Sequence, residues 1–347
     1  QGQMSMESGL GSMYKKKYCE GDKTTCARYQ VATTVGPEFV TEALYPNMEA
    51  QAKKIIEQGT TLKKESAAQT EIGFFGGSFT AIDRDYMLYL LECAYAYVKD
   101  GYFRGIRCST RPDAIDAQVL TQLKKYGVTA IELGAQSMSD KVLSMNERGH
   151  TAEDVVKASE LIKANGFELG LQMMTGLYGD DDDTSIETAR KIIEIKPDTV
   201  RIYPTVILEN TKLARLYKEG IYEAQTLENA VELCSELLEM FNENNIKVIR
   251  LGLHSGGNVE DGYLAGAYHP AFRELCESRI YLNNVIDIIK KENINGNVCI
   301  YVCPSEISKM TGQKKTNLEK LRAMGVNARI RGDEGLSVYE VRLICEE

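Results

Sequence analysis

The chain has 347 residues, of which 43% are hydrophobic and 26% charged, a composition typical of a globular protein with one large α/β domain and small attachments. A net charge of −9 excludes a broadly basic nucleic-acid surface but leaves room for a local basic groove. No apolar run approaches the roughly 20 residues that span a bilayer, and the N-terminus lacks a secretory signal pattern, so we expect no membrane partner.

The nine cysteines favour a reducing compartment. Their odd number and scattered positions do not resemble a disulfide framework, so a cytoplasmic location is expected. Cys93 and Cys234 fall at apolar positions of predicted helices, and we expect both to be buried in the core.

Three segments differ in their pattern along the chain. Residues 1–60 show no strand of a regular repeat and include Cys19 and Cys26, which indicates a small helical cysteine-bearing module or insertion. Residues 61–275 alternate short β-rich runs with helices of ten or more residues, which predicts right-handed crossovers and a parallel sheet. Residues 276–347 contain two helix and two strand patterns, which indicates a small α+β extension.

The middle segment supplies the elements of the predicted sheet. Its strands are expected at Glu71–Phe75, Gly105–Cys108, Ala130–Gly134, Glu168–Met173, Thr199–Tyr203 and Lys247–Leu251. Its main helices are expected at Asp85–Val98, Ala117–Tyr126, Ala152–Asn165, Thr184–Ile195 and Leu227–Asn244. Thr151 is predicted to cap one helix, and Thr184 with Glu187 is predicted to form a capping box at another.

Glycines and short polar residues follow all six strands. They are Gly76-Gly77-Ser78, Ser109 to Pro112, Gln136-Ser137, Gln172 with Thr175-Gly176, Tyr203 to Thr205, and His254 to Gly257. The carboxyl ends of parallel strands lie on one face, where loops build the binding site of α/β proteins. Six such ends together predict a ligand-binding site at this face, although each motif alone is common in a turn or at the end of a strand.

An ordered series of motifs makes the prediction specific. Phe74 to Thr80, Ser109 to Asp113, Ile131 to Ser137 and Asn146 to His150 resemble segments of radical S-adenosylmethionine (radical SAM) proteins. Within that superfamily the resemblance is to the branch of the Elongator catalytic subunit and, more distantly, oxygen-independent coproporphyrinogen oxidase. It covers roughly residues 61–280 and implies a partial TIM-like (βα)6 barrel.

The resemblance also implies cofactors and partners. The family binds S-adenosylmethionine at a [4Fe–4S] cluster that three cysteines hold, and an electron donor reduces the cluster to produce a 5′-deoxyadenosyl radical. By this resemblance the cofactor-binding residues are Gly76, Gly77, Ser78, Ser109, Gln136, Arg148 and Gln172.

Each carried-over residue has an implied role. Gly76 and Gly77 resemble a loop whose backbone carbonyl receives the methionine ammonium, and Ser78 stands where glutamate is frequent. Ser109 occupies a ligand-facing strand end, and Gln136 is expected to hydrogen-bond the cofactor. Arg148 is expected to bind the carboxylate of the cofactor. Gln172 is expected to bind its ribose, and its amide stands where some relatives use an acidic side chain.

The family's Cys-x-x-x-Cys-x-x-Cys motif is absent from the sequence. Cys19 and Cys26 have no third cysteine nearby, and the same is true of Cys299 and Cys303. In relatives Asn-Gln and Gly-Gln often follow the motif, and this chain opens Gln1-Gly2-Gln3, which favours truncation just downstream of the cluster loop. The alternative is that the protein has lost the cluster.

Two functions follow from these observations. The first is a radical SAM enzyme core that modifies tRNA when an upstream cysteine loop supplies the cluster. The second is a cluster-free barrel that binds a nucleotide, S-adenosylmethionine or RNA without radical chemistry. The tail after residue 280 is too short for the acetyltransferase domain of full Elongator enzymes, so acetyl transfer is not expected.

Other polar residues favour structural roles. His150, His254 and His269 are more typical of hydrogen-bonded structural histidines than of catalysts. The run Asp180 to Asp183 precedes a predicted helix and indicates a solvated helix entrance rather than a metal site.

Overall fold

The computed structural model describes residues 13–40, 44–67, 69–253 and 262–346. The chain divides into two compact units, one of Gln1–Phe74 with Leu88–Arg107 and one of Phe75–Met87 with Cys108–Glu347. The segments predicted at 1–60, 61–275 and 276–347 are a different division, and they stay a prediction.

The first unit is mainly helical over its described residues. Its helices are α1 (Ala27–Thr34), α2 (Glu49–Ala67) and most of α3 (Arg84–Lys99), with shorter helical turns at Lys15–Cys19, Lys23–Thr25 and Pro37–Phe39. A small core forms where apolar residues of α1 and α2 meet Val35 and Leu44. This unit also contains β1 (Glu71–Phe74), which neighbours β2 (Gly105–Thr110).

The second unit holds the sheet that positions the candidate site. From the end of β2 the strand order continues through β3 (Val128–Gln136), β4 (Glu168–Thr175), β5 (Thr199–Pro204) and β7 (Lys247–Leu251). The pairs β3–β4, β4–β5 and β5–β7 are parallel. A separate two-stranded ribbon pairs β6 (Val206–Leu208) with β8 (Tyr263–Gly266) antiparallel.

Helices connect these strands as the sequence predicts. They are α4 (Ala117–Lys125), α5 (Asp140–Met145), α6 (Ala152–Ala164), α7 (Asp182–Ile195), α8 (Lys212–Lys218), α9 (Leu227–Glu243) and α10 (Phe272–Glu292). Apolar residues at helical spacing face the sheet; α9, for example, buries Ala230, Leu233, Cys234, Leu237, Leu238 and Phe241. The burial of Cys234 is as expected, whereas Cys93 on α3 is exposed, so that prediction is wrong.

The helix starts confirm one capping prediction and correct the other. Thr151 caps α6 in a capping box with Asp154. At α7 the N-cap is Asp181 rather than Thr184, because the extended backbone at Asp181 directs its carboxylate to the backbone N–H of Thr184 at 2.8 Å. Thr184 therefore lies in the first turn of the helix.

The C-terminal residues form a three-stranded sheet with helices, one strand more than the sequence pattern predicted. The central strand β9 (Gly296–Val302) pairs in parallel with β10 (Val326–Gly332) and antiparallel with β11 (Val341–Cys345). Short helices α11 (Ile307–Thr311) and α12 (Thr316–Ala323) join β9 to β10. One face of this sheet packs on α10 around Tyr281, Val285, Val298, Ile300 and Val302. Within the described residues, no helix has both the length and the apolar character required to cross a membrane.

Candidate functional site

A cavity of about 530 Å³ lies in the second unit, at the carboxyl ends of β2, β3, β4 and β5. Its lining includes Phe75, Gly76, Gly77, Ser78, Ser109, Thr110, Arg111, Gly134, Gln136, Glu147, Arg148, Gln172 and Tyr203. All seven residues that the sequence nominated as cofactor-binding are in this lining. The structure therefore brings them together, while their role stays a prediction.

The glycine loop presents open backbone to the cavity. Gly76 and Gly77 have φ angles of +101° and +132°, conformations that side chains disfavour, and a Cβ at either residue would meet nothing within 4 Å. Thr80 anchors the loop, since its hydroxyl donates to the carbonyl of Ala114 at 2.7 Å and lies 2.6 Å from the hydroxyl of Thr110. The loop is thus fixed at one end and leaves its peptide groups accessible to a ligand.

Gln136 occupies an irregular end of β3. Its φ is +64°, and the register between β3 and β4 shifts between Gly134 and Gln136. A Cβ on Gly134 would lie only 2.6 Å from Nε2 of Gln136, so the glycine provides the space into which this side chain folds. The bulge and the glycine together direct the amide of Gln136 toward the cavity lining.

Arg148 is a half-buried cation without an anionic partner among the described residues. Its Nε is buried and has no hydrogen-bond acceptor there. Burial and, secondarily, the nearby charge of Arg111 lower the pKa of Arg148. Arg111 differs, because its guanidinium is paired with Asp113 through Nε at 2.9 Å and through a second bond. The site therefore has one cation whose charge the described residues do not balance.

Asn146 fixes the loop that carries Arg148. Its Nδ2 donates to the carbonyl of Tyr178 at 2.9 Å, and the backbone N–H of Tyr178 donates back to Oδ1 at 3.3 Å. Nδ2 also donates to the carbonyl of Val142 at the end of α5. Asn146 was not among the site residues predicted from the sequence, although an amide three residues before the Gly149 turn was an available signal.

A buried ion pair next to Gln172 was also missed. Glu132 on β3 has a side chain that is 1% exposed and accepts two hydrogen bonds from Arg201 on β5, at 2.6 and 2.9 Å. Nε2 of Gln172 donates to Glu132 at 2.9 Å and to the hydroxyl of Ser109 at 3.0 Å. Arg201 also lies over the ring of Phe75, 4.9 Å from its centroid. Charged residues inside otherwise apolar strands were the signal for this network.

The histidines in the described residues make structural hydrogen bonds. His150 is buried, and its Nε2 lies 3.2 Å from the carbonyl of Ala135. His269 accepts from the backbone N–H of Ala271 at 3.1 Å. His254 and the glycines that follow it lie outside the described residues.

The aspartate run is only partly the solvated helix entrance that the sequence indicated. Asp180 is largely buried: one carboxylate oxygen accepts from the backbone of Gly176 and the hydroxyl of Ser185, and the other has no partner among the described residues. Burial raises the pKa of Asp180 to about 6 against these hydrogen bonds. The reason is that Asp180 folds back to hold the end of β4 instead of facing solvent.

The described residues do not supply the ligands of a [4Fe–4S] cluster. They contain no group of three or more histidine, cysteine or acidic side chains arranged to hold a metal. Cys19 is exposed and Cys26 is buried. In contrast, the glycine loop, the unbalanced Arg148 and the amides of Gln136 and Gln172 fit the polar groups of S-adenosylmethionine.

Comparisons with known families and proteins agree with this geometry. Residues 18–192 match the model of the radical SAM superfamily, and residues 197–282 match that of the radical SAM C-terminal domain. The tRNA uridine(34) acetyltransferase of Methanocaldococcus jannaschii is 36% identical over 129 residues, which are 36% of this chain and 24% of that protein. Human Elongator complex protein 3 is 27% identical over 247 residues, which are 64% of this chain and 45% of that protein. The chain thus spans less than half the length of either relative.

A solved structure supports the fold. The N-terminally truncated Elp3 of the archaeon Methanocaldococcus infernus superposes with a TM-score of 0.54 at 22% identity, over 71% of this chain and 59% of that one. The strand order and this similarity confirm the predicted partial TIM-like barrel. Because the superfamily model alone matches half of the chain, the protein belongs to the radical SAM superfamily, whose members use S-adenosylmethionine and a [4Fe–4S] cluster.

Proposed function

We propose that the cavity of the second unit binds S-adenosylmethionine in the core of a radical SAM enzyme that modifies tRNA in the cytoplasm. The observation that carries the proposal is the half-buried guanidinium of Arg148, whose buried Nε has no acceptor among the described residues, beside an open glycine loop. A carboxylate bound there would neutralise a charge that burial disfavours and would satisfy the buried Nε.

The described residues divide the work of binding. Arg148 holds the methionine carboxylate, and the backbone of Gly76 and Gly77 receives the ammonium group through a carbonyl oxygen. Gln136 hydrogen-bonds the cofactor from the bulged end of β3, and Gln172 with Ser109 holds the ribose. Ser78 has no carboxylate to offer, so the loop contacts the ammonium through backbone and hydroxyl groups.

S-Adenosylmethionine held by these residues would supply radical chemistry once a reduced cluster is present. We assign no described residue to the cluster or to the electron donor. The tRNA substrate rests on the relative named tRNA uridine(34) acetyltransferase, of which this chain spans 24%. Acetyl transfer itself is not proposed.

A second function is favoured by a specific observation, namely that the described residues contain no cysteine triad. In this alternative the barrel binds S-adenosylmethionine, another nucleotide or RNA without radical chemistry. The two proposals share the cofactor pocket and differ in what the bound cofactor does.

Titration calorimetry with S-adenosylmethionine on the full chain tests the cofactor pocket that both proposals share. We expect saturable binding, and Arg148→Ala should weaken it about 100-fold, because a charge-assisted pair to a carboxylate is lost. Arg190→Ala is the matched control, since Arg190 is exposed on α7 and pairs only with Glu187 among the described residues. Absence of binding by the wild type, or equal effects of the two substitutions, would contradict the proposal.

Anaerobic reconstitution separates the two functions. A version extended upstream to include a cysteine loop is expected to form 5′-deoxyadenosine when a reductant is supplied. Cofactor binding without 5′-deoxyadenosine, despite a correctly formed cluster, would instead identify the cluster-free alternative.

A further inference from the structure

A buried charge network lies against the cavity-lining residue Gln172. The side chains of Glu132 and Arg201 are 1% and 18% exposed, and they are joined by two hydrogen bonds. Replacing such a pair by apolar residues is often neutral or stabilising, so the pair is not explained by stability alone. Glu132 on β3 and Arg201 on β5 lie on either side of Gln172, which is on the intervening strand β4. This arrangement points to a role for the pair in orienting the amide of Gln172.

The network leaves the amide of Gln172 only one orientation. The carboxylate of Glu132 accepts two hydrogen bonds from the guanidinium of Arg201, and a carboxylate offers acceptors to a neighbouring amide. Gln172 must therefore turn its NH2 group toward Glu132, as the 2.9 Å contact shows, and its second N–H goes to the hydroxyl of Ser109. Both donors of the amide are thus used, and Oε1 is the group left for the cavity.

We propose that Glu132 and Arg201 are positioning residues that make Gln172 a hydrogen-bond acceptor toward the cofactor and require an amide, not a carboxyl group, at this strand position. A carboxylate at residue 172 would lie within hydrogen-bonding distance of Glu132, and two carboxylates that close cannot both be ionised. The inference rests on the proposed function and deepens it, since it states which atoms the ligand must offer at this point.

The ligand chemistry follows from the same contacts. Oε1 of Gln172 accepts, and Oγ of Ser109 already accepts from Gln172, so the hydroxyl hydrogen of Ser109 remains available among the described contacts. An acceptor beside a donor is complementary to two vicinal hydroxyl groups, each of which donates and accepts. A nucleoside with an intact ribose diol therefore fits here better than its deoxy analogue.

A double-substitution cycle in the full chain tests the positioning role. The variants are Gln172→Glu, Glu132→Gln and the double variant, which exchanges amide and carboxyl while conserving charge next to Arg201. At pH 8 we expect Gln172→Glu to weaken S-adenosylmethionine binding about 30-fold through the unpaired like charge. Glu132→Gln should weaken it about 5-fold by freeing the amide orientation, and the double variant should return to within about 3-fold of wild type.

Recovery of binding in the double variant, together with a control cycle, distinguishes positioning from simple damage. The control cycle pairs Glu132→Gln with Gln118→Glu on the exposed face of α4, and its effects should add. A double variant no better than Gln172→Glu would overturn the proposal.

Thermal unfolding of the same variants separates this proposal from the proposed function. If the wild type does not bind S-adenosylmethionine, the enzyme proposal fails. The melting midpoints of the variants still measure the energetic coupling between residues 132 and 172. We expect Gln172→Glu to lower the midpoint by about 3 °C at pH 8 and the double variant to recover most of that loss. Additive midpoint changes would show that residues 132 and 172 are not coupled and would sink the positioning role.

Discussion

The molecule contains the same set of side-chain contacts in two different sheets. In the main sheet, Arg201 pairs with Glu132 and lies 4.9 Å from the ring centroid of Phe75. In the C-terminal sheet, Arg342 pairs with Asp333 and lies 5.0 Å from the ring centroid of Tyr301. The first pair is 18% and 1% exposed, whereas the second is 53% and 25% exposed.

That difference in burial determines what each cluster does. Around Arg342 water screens the charges, so the contact is one surface ion pair on the outer face of a sheet whose other face forms the core. Around Arg201 the charges are removed from water, so each one requires its partner and constrains every neighbouring polar group. Only the buried cluster fixes the orientation of a cavity-lining side chain.

The largest expected effect comes from removing one charge of each pair. Arg201→Ala removes the two charge-assisted hydrogen bonds that the buried carboxylate of Glu132 accepts from Arg201, and it should lower the free energy of unfolding by about 3–5 kcal/mol. Arg342→Ala removes the exposed counterpart and should lower it by less than about 1 kcal/mol. Urea denaturation followed by circular dichroism measures both, and similar losses in the two variants would remove the basis of the comparison.

The sequence predicted the cavity better than the network beneath its polar residues. The ends of the strands could be predicted because a short polar motif follows each apolar run. The seven residues predicted to bind the cofactor do line one cavity. Glu132 and Arg201 were not identified because they are on β3 and β5 and meet only through the β3–β4 and β4–β5 registers. Since nearly all of β3 is buried, alternation along the strand gave no indication of which side Glu132 occupies.

Burial also separates two adjacent aspartates. Asp180 has a pKa raised to about 6 by burial, while hydrogen bonds from Thr184 lower the pKa of the exposed Asp181 below its ordinary value of 3.8. Folded Asp180 holds its proton more tightly than the unfolded chain does. Its contribution to the free energy of unfolding therefore falls as pH rises from about 4 to 6, by an amount on the order of 2 kcal/mol.

Asp180→Asn should remove that fall, because the amide does not titrate and its oxygen still accepts from Gly176 and Ser185. Asp181→Asn is the control: it should leave the fall between pH 4 and 6 in place, since Asp181 titrates below this range. Urea denaturation at intervals from pH 4 to 7 compares the three proteins. A wild-type slope retained in Asp180→Asn would assign the pH dependence to other groups.

The smallest expected effect concerns two asparagines that end helices in the same way. Nδ2 of Asn146 donates to the carbonyl of Val142 after α5, and Nδ2 of Asn165 donates to that of Leu161 after α6. Only Asn146 also binds the backbone of Tyr178, which ties the Arg148 loop to the end of β4. Asn146→Ala should therefore loosen Arg148 and weaken S-adenosylmethionine binding about 10-fold, on the scale of one or two lost hydrogen bonds.

Asn165→Ala removes only the helix-end bond, so it should lower the melting midpoint less than Asn146→Ala does and leave cofactor affinity unchanged. Calorimetric titration of both variants, together with their melting midpoints, separates the two effects. We expect affinity to fall in Asn146→Ala alone and both midpoints to fall, that of Asn146→Ala further; equal affinity losses in the two variants would contradict the role of Asn146. Because the helix-end bonds are alike, such a split isolates the two hydrogen bonds to Tyr178 as the contacts that hold Arg148 at the cavity.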